Sequence, residues 1–423
     1  MPNDFEILSP VQIVPTEILM IIFFYLPAKD LMKCRSVCGR WKLIIDGMAR
    51  NSGTWLNLCK SEFNSFLVDA RRKVSNDFSC FNLYRSLSLW PNVANAVERC
   101  DEFALSGGNY EDVRRVEVIG DGRICVHRKD GIHYFNMESL YEYCHSFIPG
   151  DYAKYSENDR VIVIQSFHLH LFVVRKFLQN VFEDLNATFD RVKLFLLTDN
   201  ELYYVTVNDE IYFVNICKEP HTSVFMKQTQ IGESIMALGF TNGNLNILTY
   251  MQNIYTIEDK KLVFKQKVSS EPNIVNTLSK YDLLKQSDWR SVYHWMVGNG
   301  TYASIPQGPM RDVFLVRRYG DIFFVGTKYG VLLIYYKPFI SGELDLFNTE
   351  PIHQVFLTDK ADKRELITCP IVDIDACETE RGHNVFVAMP CNVKILRYSY
   401  NFETPDFEPY NEMLEELNIH TSS

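Results

Sequence analysis

The chain has 423 residues, of which 47% are hydrophobic and 23% charged, and its formal net charge at pH 7 is −10. These proportions predict two or three folded domains rather than a disordered chain. The acidic balance argues against nucleic acid as the main partner, because phosphate binding needs a net basic face. Eleven cysteines without a C-x-x-C pair predict reduced thiols and a cytoplasmic or nuclear location.

Nine consecutive apolar residues occupy positions 18–26. A secretory signal would carry basic residues ahead of this run, whereas Glu6 and Glu17 precede it and Lys29 follows it. A membrane-spanning helix needs roughly 20 predominantly apolar residues, and Pro27 ends this run too early. We therefore expect a soluble protein with no membrane partner.

The same run is predicted to form a helix. Pro15 suits its first position, where a missing N–H costs nothing, and Glu17 falls in the first turn, where the helix dipole favours an acid. Ile18, Leu19 and Ile22 lie on one stripe, and further apolar residues fill the other side. A helical unit of about fifty residues cannot cover such a helix by itself, so a partner protein is predicted.

The stretch VPTEILMIIFFYLPAKDLMKCRSVCGRWKLI, with Trp55 further on, resembles an F-box. The resemblance covers residues 8 to about 63 and departs from the family pattern at Val14, at Gly39 and in a polar insertion before Trp55. It implies binding to the Skp adaptor of a cullin–RING ubiquitin ligase through ten residues: Pro15, Glu17, Ile18, Leu19, Ile22, Leu26, Leu31, Val37, Cys38 and Trp41. The alternative is a three-helix packing domain without this partner, which would leave the apolar helix uncovered.

Two more helices are predicted at residues 54–67 and 80–90, and Pro91 marks a domain boundary. The fold class is therefore multidomain, α plus all-β. Its predicted parts are an F-box helical domain at 1–64, a helical linker at 65–95, a β-propeller at 96–401 and a C-terminal tail at 402–423.

From about residue 97 the apolar pattern alternates, and turn dipeptides such as Asp121-Gly122 and Asn242-Gly243 separate the predicted strands. A phrase of about three strands recurs with a mean step of about 42 residues, which is the length of a four-stranded propeller blade. Seven units would close a ring without exposed edges, so a seven-bladed propeller is predicted. It resembles WD-repeat propellers in architecture only, since the chain has no Trp-Asp dipeptide. A large β-sandwich or two smaller β domains are the alternatives. The copies begin near Val116, Val161, Val192, Ile235, Tyr281, Val313 and Ile371.

No motif predicts catalysis. GNGTYA at residues 298–303 mimics a dinucleotide fingerprint, but no helix is predicted after it, and a hairpin turn explains it better. Four possible zinc ligands lack the close pairs that structural zinc sites use, so neither a metal nor a cofactor is predicted. They are Cys369, Cys377, His383 and Cys391.

The sequence therefore predicts a non-catalytic substrate receptor of a Skp–cullin–F-box ubiquitin ligase. The F-box would bind the adaptor, and through it the cullin and RING subunits, while the propeller would hold a target protein near the ubiquitin-conjugating enzyme. The alternatives are a propeller enzyme, hydrolase-like or lyase-like, with an accessory helical domain, and a non-degradative F-box scaffold. Arg311, Arg317 and Arg318 are the predicted target-binding residues, as a site for an acidic motif.

Overall fold

Helices occupy the first part of the chain and antiparallel strands most of the remainder. The structure is a computed structural model. It describes residues 14–49, 52–103, 113–120, 122–143, 147–176, 182–218, 221–228, 232–258, 261–268, 273–287, 289–298, 312–337, 346, 349–358 and 369–401. The predicted tail at 402–423 lies outside these residues.

Among the described residues, six α-helices and a short 3-10 helix precede the first strand. Prolines precede the first two helices: the carbonyl of Pro15 accepts bonds from the N–H groups of Ile18 and Leu19, both at 3.1 Å, and Pro27 plays the same part for the next helix. The elements are α1 (Thr16–Phe24), α2 (Ala28–Arg35), α3 (Gly39–Ala49), α4 (Ser52–Glu62), α5 (Asn64–Lys73), α6 (Cys80–Leu89) and the 3-10 helix (Trp90–Asn95).

The strands of the described residues form six four-stranded antiparallel sheets. Sheet 1 comprises β2 (Val113–Gly120), β3 (Arg123–Arg128), β4 (Gly131–Asn136) and β5 (Ile148–Pro149). Sheet 2 comprises β6 (Tyr152–Glu157), β7 (Val161–Ser166), β8 (Leu171–Lys176) and β9 (Phe182–Phe189). Sheet 3 comprises β10 (Val192–Leu197), β11 (Glu201–Thr206), β12 (Glu210–Asn215) and β13 (Ser223–Gln228).

The other three sheets follow the same order along the chain, with one exception. Sheet 4 comprises β14 (Ile235–Thr241), β15 (Asn244–Thr249), β16 (Asn253–Glu258) and β17 (Lys261–Lys267). Sheet 5 comprises β18 (Val313–Tyr319), β19 (Ile322–Thr327), β20 (Val331–Tyr336) and β21 (His353–Phe356). Sheet 6 comprises β22 (Asp373–Thr379), β23 (Gly382–Met389), β24 (Asn392–Ser399) and, as its fourth strand, β1 (Val97–Phe103).

Sheet 6 joins the two ends of the strand region. Strand β1 pairs antiparallel with β24 over seven residue pairs, from Val97 opposite Ser399 to Phe103 opposite Val393. The last sheet is therefore complete only when the first strand of the region pairs with the last one.

Hydrophobic clusters join sheets 1 and 2, 2 and 3, 3 and 4, 5 and 6, and 6 and 1, so the sheets pack as a propeller-like ring. At four of these junctions the turn between the second and third strands of one sheet accepts a hydrogen bond from the start of the next sheet. The four bonds are Val192 N to Leu169 O at 2.8 Å, Ile235 N to Asp209 Oδ1 at 2.7 Å, Ile371 N to Thr327 O at 3.1 Å and Val113 N to Pro390 O at 3.0 Å. The sheets therefore share one orientation, and these turns all lie on one face of the ring, which we call the turn face.

The junction between sheets 4 and 5 is different. Two helices, α7 (Ile274–Lys280) and α8 (Trp289–Gly298), share a hydrophobic cluster with both sheets. The carbonyl oxygen of Tyr281 accepts a bond from Asn246 of sheet 4 at 3.0 Å, and that of Ser279 accepts one from Arg318 of sheet 5 at 3.2 Å. This helical insert therefore fills the position between the two sheets.

The insert corrects the predicted blade count. The described part of the copy predicted to begin near Tyr281 consists of turns and helix α8, so the described residues hold six sheets and seven blades are not confirmed. Short apolar runs fit a strand or a buried helix equally well. The helix signal is the spacing of Ile274, Val275 and Leu278, with Asn273 ahead of them accepting the N–H of Asn276 at 3.1 Å as a cap.

Helices α5 and α6 and the 3-10 helix pack against sheets 5 and 6 on the face opposite the turn face, which we call the helix face. Ser65 of α5 donates to Asp321 at 2.8 Å, and Arg85 of α6 donates to the carbonyl of Glu380 at 2.7 Å. Gly320 lies against the ring of Phe66, where a Cβ atom would come within 2.2 Å, and its φ of +56° also favours glycine.

Candidate functional site: the surface of helix α1 and the central cavity

Helix α1 divides its apolar residues between the helical core and solvent. Only Leu19 and Phe23 of this helix are buried, and the ring of Phe23 meets that of Trp41 edge-on with centroids 5.1 Å apart. Six other apolar residues from the same helix and its C-terminal cap are 44–80% exposed. These six are called the α1 surface: Ile18, Met20, Ile21, Ile22, Phe24 and Tyr25.

The ten predicted adaptor-binding residues fall into three groups. Leu19 and Leu31 are buried in the helical core, which makes them supports of the surface rather than parts of it. Leu26 and Trp41 are half-buried. The exposed residues of the ten are Pro15, Glu17, Ile18, Ile22, Val37 and Cys38.

Sequence reasoning left out five exposed apolar residues. The signal that could have found them was present, because a helix that is apolar all round must expose whatever its own domain does not cover. They are Met20, Ile21, Phe24, Tyr25 and Leu43.

Polar contacts hold the helices beneath this surface in place. The buried guanidinium of Arg35 pairs with Asp46 at 2.7 Å and joins α2 to α3. Glu62 of α4 accepts the N–H of Ala28 at 3.0 Å and the hydroxyl of Tyr84 at 2.8 Å. These contacts therefore connect the helices that support the α1 surface.

A small cavity of about 90 Å³ lies between the first strands of sheets 1, 5 and 6, helix α5 and the helical insert. Its charged side chains pair with one another: Arg115 with Glu117 at 2.9 Å, Arg317 with Asp373 at 2.9 Å, and Lys73 of α5 with Asp375. Helix α5 thus closes this cavity from the helix face.

Two of the three arginines predicted to bind the target contact other residues of this chain. Arg317 pairs with Asp373 and donates to the carbonyl of Lys285 at 3.3 Å, and Arg318 donates to the carbonyl oxygens of Gly320 and Ser279. Both side chains line the cavity and hold the insert against sheet 5. Arg311 lies outside the described residues.

Glu117 is a buried carboxylate that cations surround on several sides of the cavity. Burial by itself raises the pKa of this carboxyl, but Arg115, Lys285, Arg72 and Lys73 surround it and lower the pKa to about 2. Glu117 is therefore ionised at neutral pH and holds cations of both β2 and α5.

The four possible zinc ligands do not come together. Cys377 contacts Met137 through sulfur at 3.4 Å, whereas the ring of His383 stacks on Trp90 with centroids 3.8 Å apart. Glu378 accepts bonds from His383 at 2.8 Å and from the Trp90 indole at 2.9 Å. In the described part of the chain, no group of three or more His, Cys, Asp or Glu residues is arranged to hold a metal ion.

Residues 11–51 match the family described as F-box-like, so the chain carries an F-box-like domain. No curated protein matches the chain. No helix among the described residues has the length and apolar character needed to cross a membrane.

Two solved structures are similar to parts of this chain. The extracellular domain of a hybrid two-component system protein from B. thetaiotaomicron is 12% identical with a TM-score of 0.42, and the match covers 72% of this chain and 40% of that one. The N-terminal domain of Nup159 is 9% identical with a TM-score of 0.35, and the match covers 68% of this chain and 76% of that one. The chain thus spans less than half the length of the first of these structures.

Proposed function

We propose that the chain is the substrate-recognition subunit of a Skp–cullin–F-box ubiquitin ligase. Its F-box would bind the Skp-type adaptor, and through it the cullin and RING subunits, while the ring of sheets would hold a target protein. The observation that carries this proposal is the α1 surface, which lies within the F-box-like match and leaves six large apolar residues in solvent. Such a patch on a folded protein is typical of a binding site.

The proposed role is non-catalytic. The receptor would raise the effective concentration of target lysines near the conjugating enzyme, which needs rigid connection rather than covalent chemistry. Support comes from the contacts of α5 and α6 with sheets 5 and 6, which hold the F-box at a set angle to the ring. The cavity also supports this role over the enzyme alternative, because paired charges line it and α5 closes one end.

The adaptor test uses two matched variants of the full chain. Ile22→Asp places a charge on the α1 surface, where Ile22 is 48% exposed; Val224→Asp does the same on the outer strand β13, where Val224 is 56% exposed. Loss of an interface anchor costs about 2 kcal/mol or more, and about 1.4 kcal/mol is tenfold in affinity. Calorimetric titration with purified Skp adaptor should show at least a tenfold loss for Ile22→Asp and no change for Val224→Asp.

Two results would contradict the proposal. Failure of the parent chain to bind the adaptor would remove the F-box function, and equal losses in both variants would place binding elsewhere. A parent that binds the adaptor and a target, but supports no ubiquitin transfer in a reconstituted ligase, would instead favour the scaffold alternative.

A further inference from the structure

The turn face of the ring points away from the F-box. The turns that join the first and second strands lie on the helix face, where Gly320 meets Phe66 and Glu380 meets Arg85. The turns that join the second and third strands lie on the opposite face, as the bonds between neighbouring sheets show. A protein bound at the turn face would therefore leave the α1 surface accessible.

Four successive sheets build this turn in the same way. The turn begins at Ser166, Thr206, Thr249 and Thr327 in sheets 2 to 5. In each turn the carbonyl of this first residue accepts the N–H three residues on, and its hydroxyl accepts the N–H four residues on. The two residues in between are held outward, so the ring presents a repeated pair of side chains.

Backbone strain marks the same turns. The fourth residue is left-handed in all four, with φ of +64° at Leu169, +63° at Asp209, +69° at Gln252 and +72° at Gly330. Glycine adopts this conformation freely, whereas a bulky side chain such as that of Leu169 is strained in it. Strain of this kind concentrates at functional sites.

Of the eight side chains in these pairs, three are large, apolar and exposed: Phe167, Tyr250 and Met251. Phe167 and Leu169 of sheet 2, Tyr250 and Met251 of sheet 4, and Phe314 at the start of β18 are 36–62% exposed. The described turns between first and second strands hold only polar residues and glycine in comparison. The connection from β4 to β5, at the helix face, also exposes Tyr141 and Tyr143, so both faces carry exposed aromatic side chains, and those of sheets 2 and 4 lie on the turn face.

The polar groups left available on the turn face are cationic. Its carboxylates already accept bonds within the protein, as Asp151 does from Arg114 at 2.6 Å, Asp190 from His170 at 2.7 Å and Asp312 from Lys328 at 2.6 Å. The side chains of Lys129, Lys154 and Arg191 form no ion pair with a carboxylate among the described residues. Lys129 and Arg191 lie next to the turn-face ends of β3 and β10, whereas Lys154 lies within β6, near Arg115 of the cavity. This face therefore offers donors and positive charge although the whole chain has a formal charge of −10.

We propose that the turn face binds a segment of the target protein that carries large apolar side chains together with carboxylates. The apolar side chains would pack on the turns of sheets 2 and 4 and on Phe314, and the carboxylates would bind Lys129 and Arg191. This inference rests on the proposed receptor function, since it states what the receptor would hold and where.

The test uses a phage-displayed library of random 16-residue peptides, selected on the purified full chain without the Skp adaptor. We expect selected peptides to be enriched in Asp and Glu and in large apolar residues. The strongest peptide, made synthetically, should lose at least tenfold in affinity for the Tyr250→Ala/Met251→Ala double variant and for Lys129→Glu. It should bind Phe264→Ala as it binds the parent, because Phe264 is as exposed as Tyr250 but lies on the outer strand β17.

Several outcomes would overturn the proposal. They are the absence of any enriched peptide, enrichment of basic peptides, an equal loss in Phe264→Ala, and competition of the selected peptide with the adaptor. Circular dichroism of each variant must match that of the parent. The selection needs no ligase activity, and adaptor binding is measured separately. Failure of the ligase proposal and failure of this docking surface would therefore give different results.

Discussion

Leu19 and Ile22 lie three residues apart on α1, yet one faces the helical core and the other solvent. Leu19 is 3% exposed and Ile22 is 48% exposed. Removing a buried leucine loses both its transfer free energy and the packing around the cavity that is left. Removing an exposed side chain changes the free energy of unfolding very little. Loss of adaptor binding in a Leu19 variant can therefore result from unfolding of the helical core, whereas in an Ile22 variant it results from a lost contact at the surface.

Alanine substitution separates the two causes. We expect Leu19→Ala to lower the free energy of unfolding of the helical part by about 2–5 kcal/mol, and Ile22→Ala to change it by less than about 0.5 kcal/mol. Urea titration followed by circular dichroism at a helix wavelength measures both. Equal stabilities of the two variants would show that Leu19 does not hold the core.

The lowered pKa of Glu117 predicts that the stability of the folded chain depends on pH. Its pKa is lowered from 4.5 to about 2 in the folded chain, because the pull of the surrounding cations outweighs the effect of burial. The unfolded chain therefore binds more protons between these values, and stability falls as pH falls. The contribution of Glu117 is complete above about pH 4.5 and is lost as the pH approaches 2.

The variant Glu117→Gln tests this assignment. It should be less stable than the parent by roughly 3 kcal/mol at pH 7, at about 1.4 kcal/mol per pKa unit, and the difference should shrink below pH 4.5. Thermal unfolding across pH 3–7 provides the comparison. A difference that is constant over this range would mean that the charge of Glu117 is not what stabilises the cavity.

At the scale of elements, the linker helices are part of the core of the ring. Trp90 is fully buried, stacks on His383 and donates to Glu378, while Lys73 of α5 pairs with Asp375 in the cavity. Tyr319 also donates to Glu378, at 3.1 Å, so sheets 5 and 6 meet the 3-10 helix at one carboxylate. The helices that the sequence predicts as a linker therefore pack into the core that sheets 5 and 6 share.

Two fragments test the role of these helices. Residues 64–423 keep α5, α6 and Trp90, whereas residues 96–423 lose them and expose Tyr319, His383 and Glu378 to water. We expect the longer fragment to unfold in one cooperative transition and the shorter one to unfold at a clearly lower temperature, or to aggregate. Calorimetry measures the unfolding temperature of each fragment. Equal temperatures would show that the stability of the ring does not depend on the linker helices.

At the scale of the whole molecule, the ring depends on the pairing of β1 with β24. These strands come from opposite ends of the sheet region and pair over seven residues, and Arg397 of β24 adds an ion pair to Asp101 of β1 at 2.7 Å. This pairing therefore ties the two ends of the sheet region together.

Hydrogen exchange can detect whether the pairing of β1 with β24 is as stable as the pairing of the other strands of sheet 6. We expect the amides of Val97–Phe103 that bond to β24 to exchange as slowly as those of β23, the strand buried on the other side of β24. Mass spectrometry of peptides from the two strands measures this directly. Fast exchange of β1 in a chain whose β23 is protected would mean that the ring opens without unfolding.

The sequence by itself determined the local features of this protein. The apolar run and its prolines predicted α1, the F-box resemblance is confirmed as an F-box-like domain at residues 11–51, and alternation with turn dipeptides predicted antiparallel strands. These features depend on neighbouring residues, because helix spacing, capping and hairpin turns are set within a few positions of the chain.

Tertiary structure alone decided which side of each element is used. It placed Leu19 inward and Ile22 outward, made helices of the stretch near Tyr281, and paired Arg317 with Asp373. Sequence patterns cannot settle these points, because an apolar or charged side chain has the same character whether a distant residue covers it or not. The contacts that decide join residues as far apart as Trp90 and Glu378, and only folding brings them together.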